Sequence, residues 1–263
     1  MIDLKHIDEA LTSYVRPQTF PVAIRMCQSA EELPEKVRFP VKDMGVNISL
    51  CHGITMARRH GWTIAIDKYL SCYGAGISMG FLPLLPDIVD GSYQASLGLW
   101  GMSKEQAATA IQNMPKFEYG KYAYALMAPL QRATFEPHLI LIYGNPAQIW
   151  VLVSGYLLGT GKTKLDANLS LGGGCTTYIT RAMQTDEPQF ALVDMGERLI
   201  PHPQDHECAF SVPVSKIETV LKGMELGRNT GAFKYPIPSF IKYNSQHPPG
   251  YDKMREHLLG EDQ

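Results

Sequence analysis

Apolar residues recur along the chain at intervals that predict helices alternating with short strands. Leu4, Ile7, Leu11 and Tyr14 follow helical spacing, so residues 3–15 are predicted to form an amphipathic helix. Short apolar runs bounded by turn residues predict strands. The predicted strands are 20–26, 62–66, 138–143 and 190–193. This order of elements predicts an α/β fold of mixed α+β type.

Capping residues and glycines mark further helices. A helical pattern runs over 50–60 and ends at Gly61, and Ser103 begins a helix that stops before Pro115. Two more helices are predicted at 147–158, closed by Gly159 and Gly161, and at 215–226, closed by Gly227. Residues 35–45 are interpreted as loop and 83–102 as irregular. The glycine-rich 71–81 segment is a turn that opens a short helix.

The order of elements indicates an internal repeat. Residues 46–66 run from an apolar segment through a helix into a strand, and 167–193 have the same order. We therefore predict a single globular domain over 1–263, in which two pseudo-repeated α/β halves, 17–100 and 135–225, pack together. A Pro-rich tail with a last short helix follows them. A ligand between the halves would meet one glycine-rich turn from each.

Composition narrows the classes of function. The 263 residues carry a net charge of -2, so no basic excess is present to neutralise phosphates, and nucleic acid is not an expected partner. The longest apolar stretch, 147–158, is shorter than the roughly 20 residues that span a membrane. Charges interrupt the first 18 residues, so we do not expect them to form a secretory signal. A cytoplasmic location is expected.

Three of the five cysteines lie where chemistry is expected. An odd number of cysteines argues against a disulfide framework and predicts reduced thiols. Cys51, Cys72 and Cys175 stand beside glycines at predicted junctions of turn and helix, where free backbone N–H groups stabilise thiolates. Such thiols could ligate a metal or an iron–sulfur cluster, serve as a single reactive thiol, or be buried packing residues.

Neighbouring residues complete the candidate cofactor-binding set. Small residues allow a ligand or another backbone to approach closely, and His52 or Arg58 could orient an anionic ligand. A solvated helix face is the commoner explanation for Arg58. The candidate cofactor-binding residues are Cys51, His52, Arg58, Cys72, Gly74, Gly173, Gly174 and Cys175. Of these, Cys51, Cys72 and Cys175 are the candidate metal ligands.

Two other motifs are weaker. The spacing of His202, His206 and Cys208 could suit zinc, but a clear fourth ligand is missing. The 159–163 segment ends in Gly-Lys-Thr, yet Tyr156 stands where a P-loop needs glycine, and the segment closes a helix instead of opening one. We interpret it as a helix C-cap.

Several segments together resemble a known family. They are 20–25, with Pro-Val-Ala; 51–61, with Cys-His-Gly and Ala-Arg-Arg; 71–81, with Ser-Cys and small residues; 144–150, with Asn-Pro-Ala-Gln; and 171–175 with Ile200-Pro201. This combination resembles domain-of-unknown-function family 169 of archaea and anaerobic bacteria over residues 10–225. The resemblance implies a fold and a cysteine constellation at Cys51, Cys72 and Cys175, not a reaction. His52 and Tyr73 depart from its pattern.

Two functional hypotheses follow. The first is a cofactor-binding protein of anaerobic redox metabolism that holds an iron–sulfur cluster or metal, as an enzyme or a subunit of one, and meets a small-molecule substrate or a redox partner protein. The alternative is a non-catalytic small-ligand-binding or assembly module with structural thiols. The paired halves would also suit a homo-oligomer. The sequence does not decide between an enzyme and a binding protein.

Overall fold

Six antiparallel strands form the centre of the protein. The computed structural model describes residues 2–167, 169, 173–237, 247 and 250–260. The strands are β1 (Val22–Cys27), β2 (Ile64–Ile66), β3 (Tyr124–Pro129), β4 (Leu139–Gly144), β5 (Gln189–Leu192) and β6 (Cys208–Pro213). They form one sheet in the order β2-β3-β1-β4-β6-β5, and each paired strand runs antiparallel to its neighbour. The mixed α/β class predicted from the sequence is therefore confirmed.

Twelve α-helices in the described residues surround the sheet. They are α1 (Leu4–Tyr14), α2 (Pro40–Met44), α3 (Leu50–Thr55), α4 (Tyr73–Ser78), α5 (Pro86–Val89), α6 (Ser92–Ser96), α7 (Lys104–Asn113), α8 (Pro146–Thr160), α9 (Ala182–Thr185), α10 (Met195–Leu199), α11 (Ile217–Asn229) and α12 (Tyr251–Leu259). A π-helical segment, Met56–His60, extends α3, and another, Thr176–Arg181, precedes α9. None of the described helices is both long and apolar enough to cross a bilayer.

The two faces of the sheet carry separate apolar cores. On one face, α3 and the helical segment that leads into α9 pack on alternate strand residues such as Ile24 and Met127. On the other, α1, α8 and α11 pack on Ile140 and Phe210. The helical segments that carry Cys51 and Cys175 therefore lie on the same face of the sheet.

The strand order is symmetric about the central β1–β4 pair. Along the chain, the first half gives β1, β2 and β3 and the second gives β4, β5 and β6, and each half places its first strand centrally, its third next and its second at the edge. β3 and β6 each end in proline and continue into a 3₁₀ turn, at Pro129 and Pro213. The internal repeat stays a prediction, and these correspondences support it.

Several element predictions need correction. The strands β3 and β6 were not predicted, residues 35–45 contain α2, and 83–102 contain α5 and α6. Gly227 does not end α11, which continues to Asn229. A Cβ at Gly227 would meet the Phe233 ring, so this glycine allows close packing. Most of the Pro-rich tail, and residues 168 and 170–172 of the second repeat copy, lie outside the described residues.

Candidate functional site

The three predicted cysteine ligands come from three different segments on one face of the sheet. Cys51 lies in the first turn of α3, Cys72 is the N-cap of α4, and Cys175 starts the helical run that becomes the Thr176–Arg181 π segment. Cys175 is 6% exposed, and Cys51 and Cys72 are partly buried. Both π segments directly follow the helical turn that carries a cysteine, and π segments are frequent at functional sites.

Burial has the largest effect on the pKa values of the Cys51 and Cys175 thiols. Burial raises the pKa of Cys51 to about 12, with smaller contributions from Glu197, Cys72 and Asp194. Burial also raises the pKa of Cys175 well above its ordinary value, and the charges of Cys72 and Cys51 raise it further. The expected stabilisation of thiolates by a helix N-terminus is therefore outweighed by desolvation. Without a bound cation, Cys51 and Cys175 are neutral thiols.

Two of the candidate glycines are required by the backbone. Gly173 has a φ of +127°, which strains any residue with a side chain. A Cβ on Gly174 would lie 2.8 Å from Asp194 Oδ2 and 3.0 Å from Glu197 Oε2, and the Gly174 N–H donates to Asp194. Gly174 therefore lets the chain before Cys175 approach two carboxylates. At Gly74, in contrast, a Cβ would meet nothing within 4 Å.

A buried carboxyl group, Glu197, lies beside these thiols. Its side chain accepts hydrogen bonds from the hydroxyls of Tyr143 and Tyr178, and it is 3% exposed. Burial raises the pKa of Glu197 to about 7, and Asp194 adds to the shift. Its second oxygen, Oε2, has no hydrogen-bond partner in the described part of the chain.

Arg58 connects the two halves instead of lying on a solvated helix face. It is 1% exposed, and its two terminal nitrogens donate to Glu207 at 2.6 and 2.9 Å. Burial alone would lower the pKa of Arg58, but Glu207 holds it above its ordinary value. The guanidinium also covers the Tyr143 ring, 4.0 Å from its centroid. Arg58 therefore positions Tyr143, which in turn donates to Glu197.

His52 is near a second histidine. Its Nδ1 lies 3.4 Å from the hydroxyl oxygen of Ser49, which also contacts the Cys51 Sγ at 2.9 Å. Burial lowers the pKa of His52, and the charge of His202 lowers it further. His202 has a φ of +48°, a strained conformation for a residue other than glycine. Its backbone N–H donates to the Glu197 carbonyl oxygen.

The donor geometry does not match a site for a single ion. Among the described residues, no three His, Cys, Asp or Glu side chains form a group that could hold a metal ion. The zinc site suggested for His202, His206 and Cys208 is not supported either. Cys208 is buried in the core on the face of the sheet opposite to Cys175, and His206 contacts Gln18.

Sequence reasoning missed the acidic and aromatic part of this site. Asp194, Glu197, Tyr143, Tyr178 and Glu207 were not singled out. A signal was present for two of them, because Asp-x-x-Glu directly after a strand is a capping pattern. Asp194 does cap α10 by accepting from the Glu197 N–H, but the Glu197 side chain turns inward to the tyrosines. Only the folded structure shows that contact.

Fold and site together define an antiparallel α+β protein with cysteine, carboxyl and tyrosine groups gathered on one face of its sheet. The chain belongs to domain-of-unknown-function family 169, described as uncharacterised ArCR, whose family model matches residues 10–223. The resemblance found from the sequence is thus confirmed. Comparisons with curated proteins and with solved structures gave no significant match.

Proposed function

We propose that Cys51, Cys72 and Cys175 bind an iron–sulfur cluster and that the protein serves redox metabolism. The observation that supports this proposal is that three thiols from three separate segments lie near one another, because the charges of Cys72 and Cys51 raise the pKa of Cys175 and the charge of Cys72 raises that of Cys51. Thiolates are the usual protein ligands of such clusters. A cluster with three thiolate ligands would supply an open coordination position for electron transfer or Lewis acid chemistry.

The residues present suit a cationic group. Cys51 and Cys175 carry protons that a bound metal would displace, since metal ligation requires thiolates. The buried, unpartnered Oε2 of Glu197 lies close enough for its charge to raise the pKa of both thiols. A nearby positive group would offset the cost of ionising these side chains in a dry site. His52 is a further group near the Cys51 side.

The cellular setting is part of the same proposal. Five free cysteines are typical of a reducing compartment, which supports a cytoplasmic location. A redox partner protein, an anaerobic pathway and a homo-oligomer stay predictions from the sequence. The alternative is a non-catalytic binding module whose thiols only pack, and the nearly complete burial of Cys175 in the apolar core favours it.

Metal and sulfide analysis of protein purified without oxygen distinguishes these proposals. We expect iron, acid-labile sulfide and a visible absorption band that dithionite bleaches. Each of Cys51→Ser, Cys72→Ser and Cys175→Ser should lose them. Cys27→Ser and Cys208→Ser are matched controls, because these thiols lie in strands β1 and β6 and should leave the cluster intact.

Other outcomes would have clear meanings. Stoichiometric zinc without sulfide would show that the cysteines bind a single metal ion and not a cluster. The proposal would be wrong if the chain is colourless and metal-free and also takes up neither iron nor sulfide under reconstitution. The thiols would then be packing residues.

A further inference from the structure

A cavity of about 410 Å³ opens beside the edge strand β2. Residues from segments 39–42 and 65–70 form most of its walls, together with Ile48 and with Tyr124 of β3. Its volume is within the range of small-molecule sites, which is roughly 300–1,000 Å³. None of the described residues that line it is a cysteine, so it is distinct from the candidate cysteine site.

Most of the cavity wall is apolar. Phe39 and Tyr124 pack edge to face, with their ring centroids 6.0 Å apart, and Ile48 and Leu70 are buried. Tyr69 is 64% exposed, so much of this residue is in contact with water. A ligand that covers such a side chain is stabilised by the burial of apolar surface. The wall therefore favours an occupant with an apolar body.

Two side chains of opposite charge also line this cavity, Lys42 and Asp67. Lys42 lies in α2, and its Nζ is 5.9 Å from the centroid of the Phe39 ring. Asp67 directly follows β2, and its Oδ1 accepts from the Tyr69 N–H at 3.0 Å, which holds the carboxylate in a turn. In the described part of the chain, neither charged group forms an ion pair.

The two charges restrict the class of ligand. A cation alone would pair with Asp67 but approach the like charge of Lys42, and an anion alone would pair with Lys42 but approach Asp67. A neutral molecule would leave both charged groups without a partner. A zwitterion with an apolar side chain matches both charges and the apolar wall, the usual combination at small-molecule sites.

We infer that this cavity binds a zwitterionic α-amino acid with an apolar side chain. The ammonium group of the ligand pairs with the Asp67 carboxylate, and its carboxylate pairs with the Lys42 ammonium group. The ligand side chain packs on the exposed aromatic wall beside Tyr69. The inference goes beyond the proposed function and does not rest on a cluster at the cysteines.

L-phenylalanine and three analogues of it test this inference. Phenethylamine lacks the carboxylate, hydrocinnamate lacks the ammonium group, and glycine lacks the aromatic ring. Calorimetric titration of the full chain at neutral pH should show each analogue binding about tenfold more weakly than L-phenylalanine. Each loses either one charge-assisted hydrogen bond or the burial of a ring. No binding of L-phenylalanine, or an analogue that binds as tightly as it does, would overturn the inference.

Two variants assign the charges to their partners. Asp67→Asn keeps an oxygen that can accept from the Tyr69 N–H but removes the charge. Its affinity for L-phenylalanine should fall about tenfold, whereas hydrocinnamate, which has no ammonium group, should bind no more weakly than before. Lys42→Met should likewise lose about tenfold for L-phenylalanine and nothing for phenethylamine. Full affinity for L-phenylalanine in either variant would also overturn the inference.

Matched controls use exposed residues outside the cavity lining. Asp87→Asn and Lys36→Met make the same changes of charge and should leave the affinities for all four probes unchanged. Losses in these controls equal to those of the cavity variants would mean that net charge alone causes the effect, against the inference. None of the four variants alters a cysteine, so iron and sulfide content tests the cluster separately, and the failure of one proposal is distinguishable from the failure of the other.

Discussion

At the residue scale, Glu197 is a carboxyl group held almost completely out of water. Its carboxyl group accepts from two buried tyrosine hydroxyls, yet burial still raises its pKa to about 7. Hydrogen bonds to an ionised carboxylate lower its pKa, so desolvation is the stronger effect here. A carboxyl that titrates near neutrality can exchange protons with a bound group.

This shift makes stability depend on pH in a known direction. The unfolded chain ionises Glu197 near 4.5, whereas the folded chain ionises it near 7. Between these values the folded state holds one more proton, so the free energy of unfolding falls as the pH rises and levels off above about 7. The contribution of this group is fully present only below pH 4.5.

Glu197→Gln tests the effect because glutamine cannot ionise but keeps an oxygen that accepts from Tyr143. On the metal-free protein, the free energy of unfolding of the variant should rise relative to the unsubstituted chain by roughly 3 kcal/mol as the pH goes from 4.5 to 7. Denaturant unfolding at a series of pH values measures it. A constant difference over this range would contradict the assigned burial effect.

At the element scale, the close packing of two helices depends on glycines. Helices α8 and α11 cross where a Cβ on Gly223 would lie 1.8 Å from the Gly155 carbonyl oxygen and 2.7 Å from the Gly159 nitrogen. Gly155 and Gly159 are also tight against α11. The sequence pattern predicts that Gly159 ends the helix. In the structure Gly159 lies within α8, where it packs against α11, and Gly161 caps the helix.

Alanine at Gly223 should therefore destabilise the fold although alanine favours helices. Gly223→Ala is expected to lower the free energy of unfolding by about 1–3 kcal/mol, because the two backbones must separate. Gly74→Ala is the matched control, since its Cβ meets nothing, and it should raise stability by roughly 0.5–1 kcal/mol. Chemical denaturation measures both. Equal effects at the two positions would show that α8 and α11 can move apart freely.

The sequence predicted helices better than strands for a physical reason. Helices α7 and α8 carry capping boxes at Ser103 and Asn145, local signals that need no tertiary information. The missed strands β3 and β6 each end in proline, which usually argues against a strand. Their place in the sheet depends on pairing with distant segments.

The residues of the candidate site also fall into those that the sequence revealed and those that it did not. The cysteines were identified from their neighbours in sequence, because glycines and a helix start lie beside them. Glu207 could not be identified in this manner, since it acts through Arg58, 149 residues away along the chain. That ion pair becomes buried only when the two halves pack together, so the spacing of residues in the sequence does not indicate it.

At the scale of the whole molecule, equivalent contacts recur in the two halves. The N–H of Leu130 donates to the Pro21 carbonyl at 2.8 Å, and the N–H of Val214 donates to that of His138 at 2.9 Å. Each bond joins the residue before a half's first strand to the residue after its third. With the symmetric strand order, these bonds support the predicted repeat, and the candidate site takes Cys51 and Cys72 from the first half and Cys175 from the second.

The halves nonetheless depend on each other. β1 and β4 pair at the centre of the sheet, so each half alone would expose a long apolar edge. Arg58 of the first half and Glu207 of the second form a buried pair, and removing Glu207 leaves Arg58 as an uncompensated buried charge that costs about 3–5 kcal/mol. Gln148 also donates across the junction, to the carbonyl oxygens of Val15 and Arg16.

Splitting the chain after Thr134, in an exposed connection, tests this dependence. Fragments 1–134 and 135–263 should each lack a cooperative thermal transition, whereas an equimolar mixture should recover one because the β1–β4 pairing and the Arg58–Glu207 pair form again. Circular dichroism and light scattering follow both. In the mixture, Glu207→Ala should weaken recovery more than Glu225→Ala, an exposed change on α11. A monomeric half that unfolds cooperatively alone would mean that the β1–β4 junction is dispensable for folding.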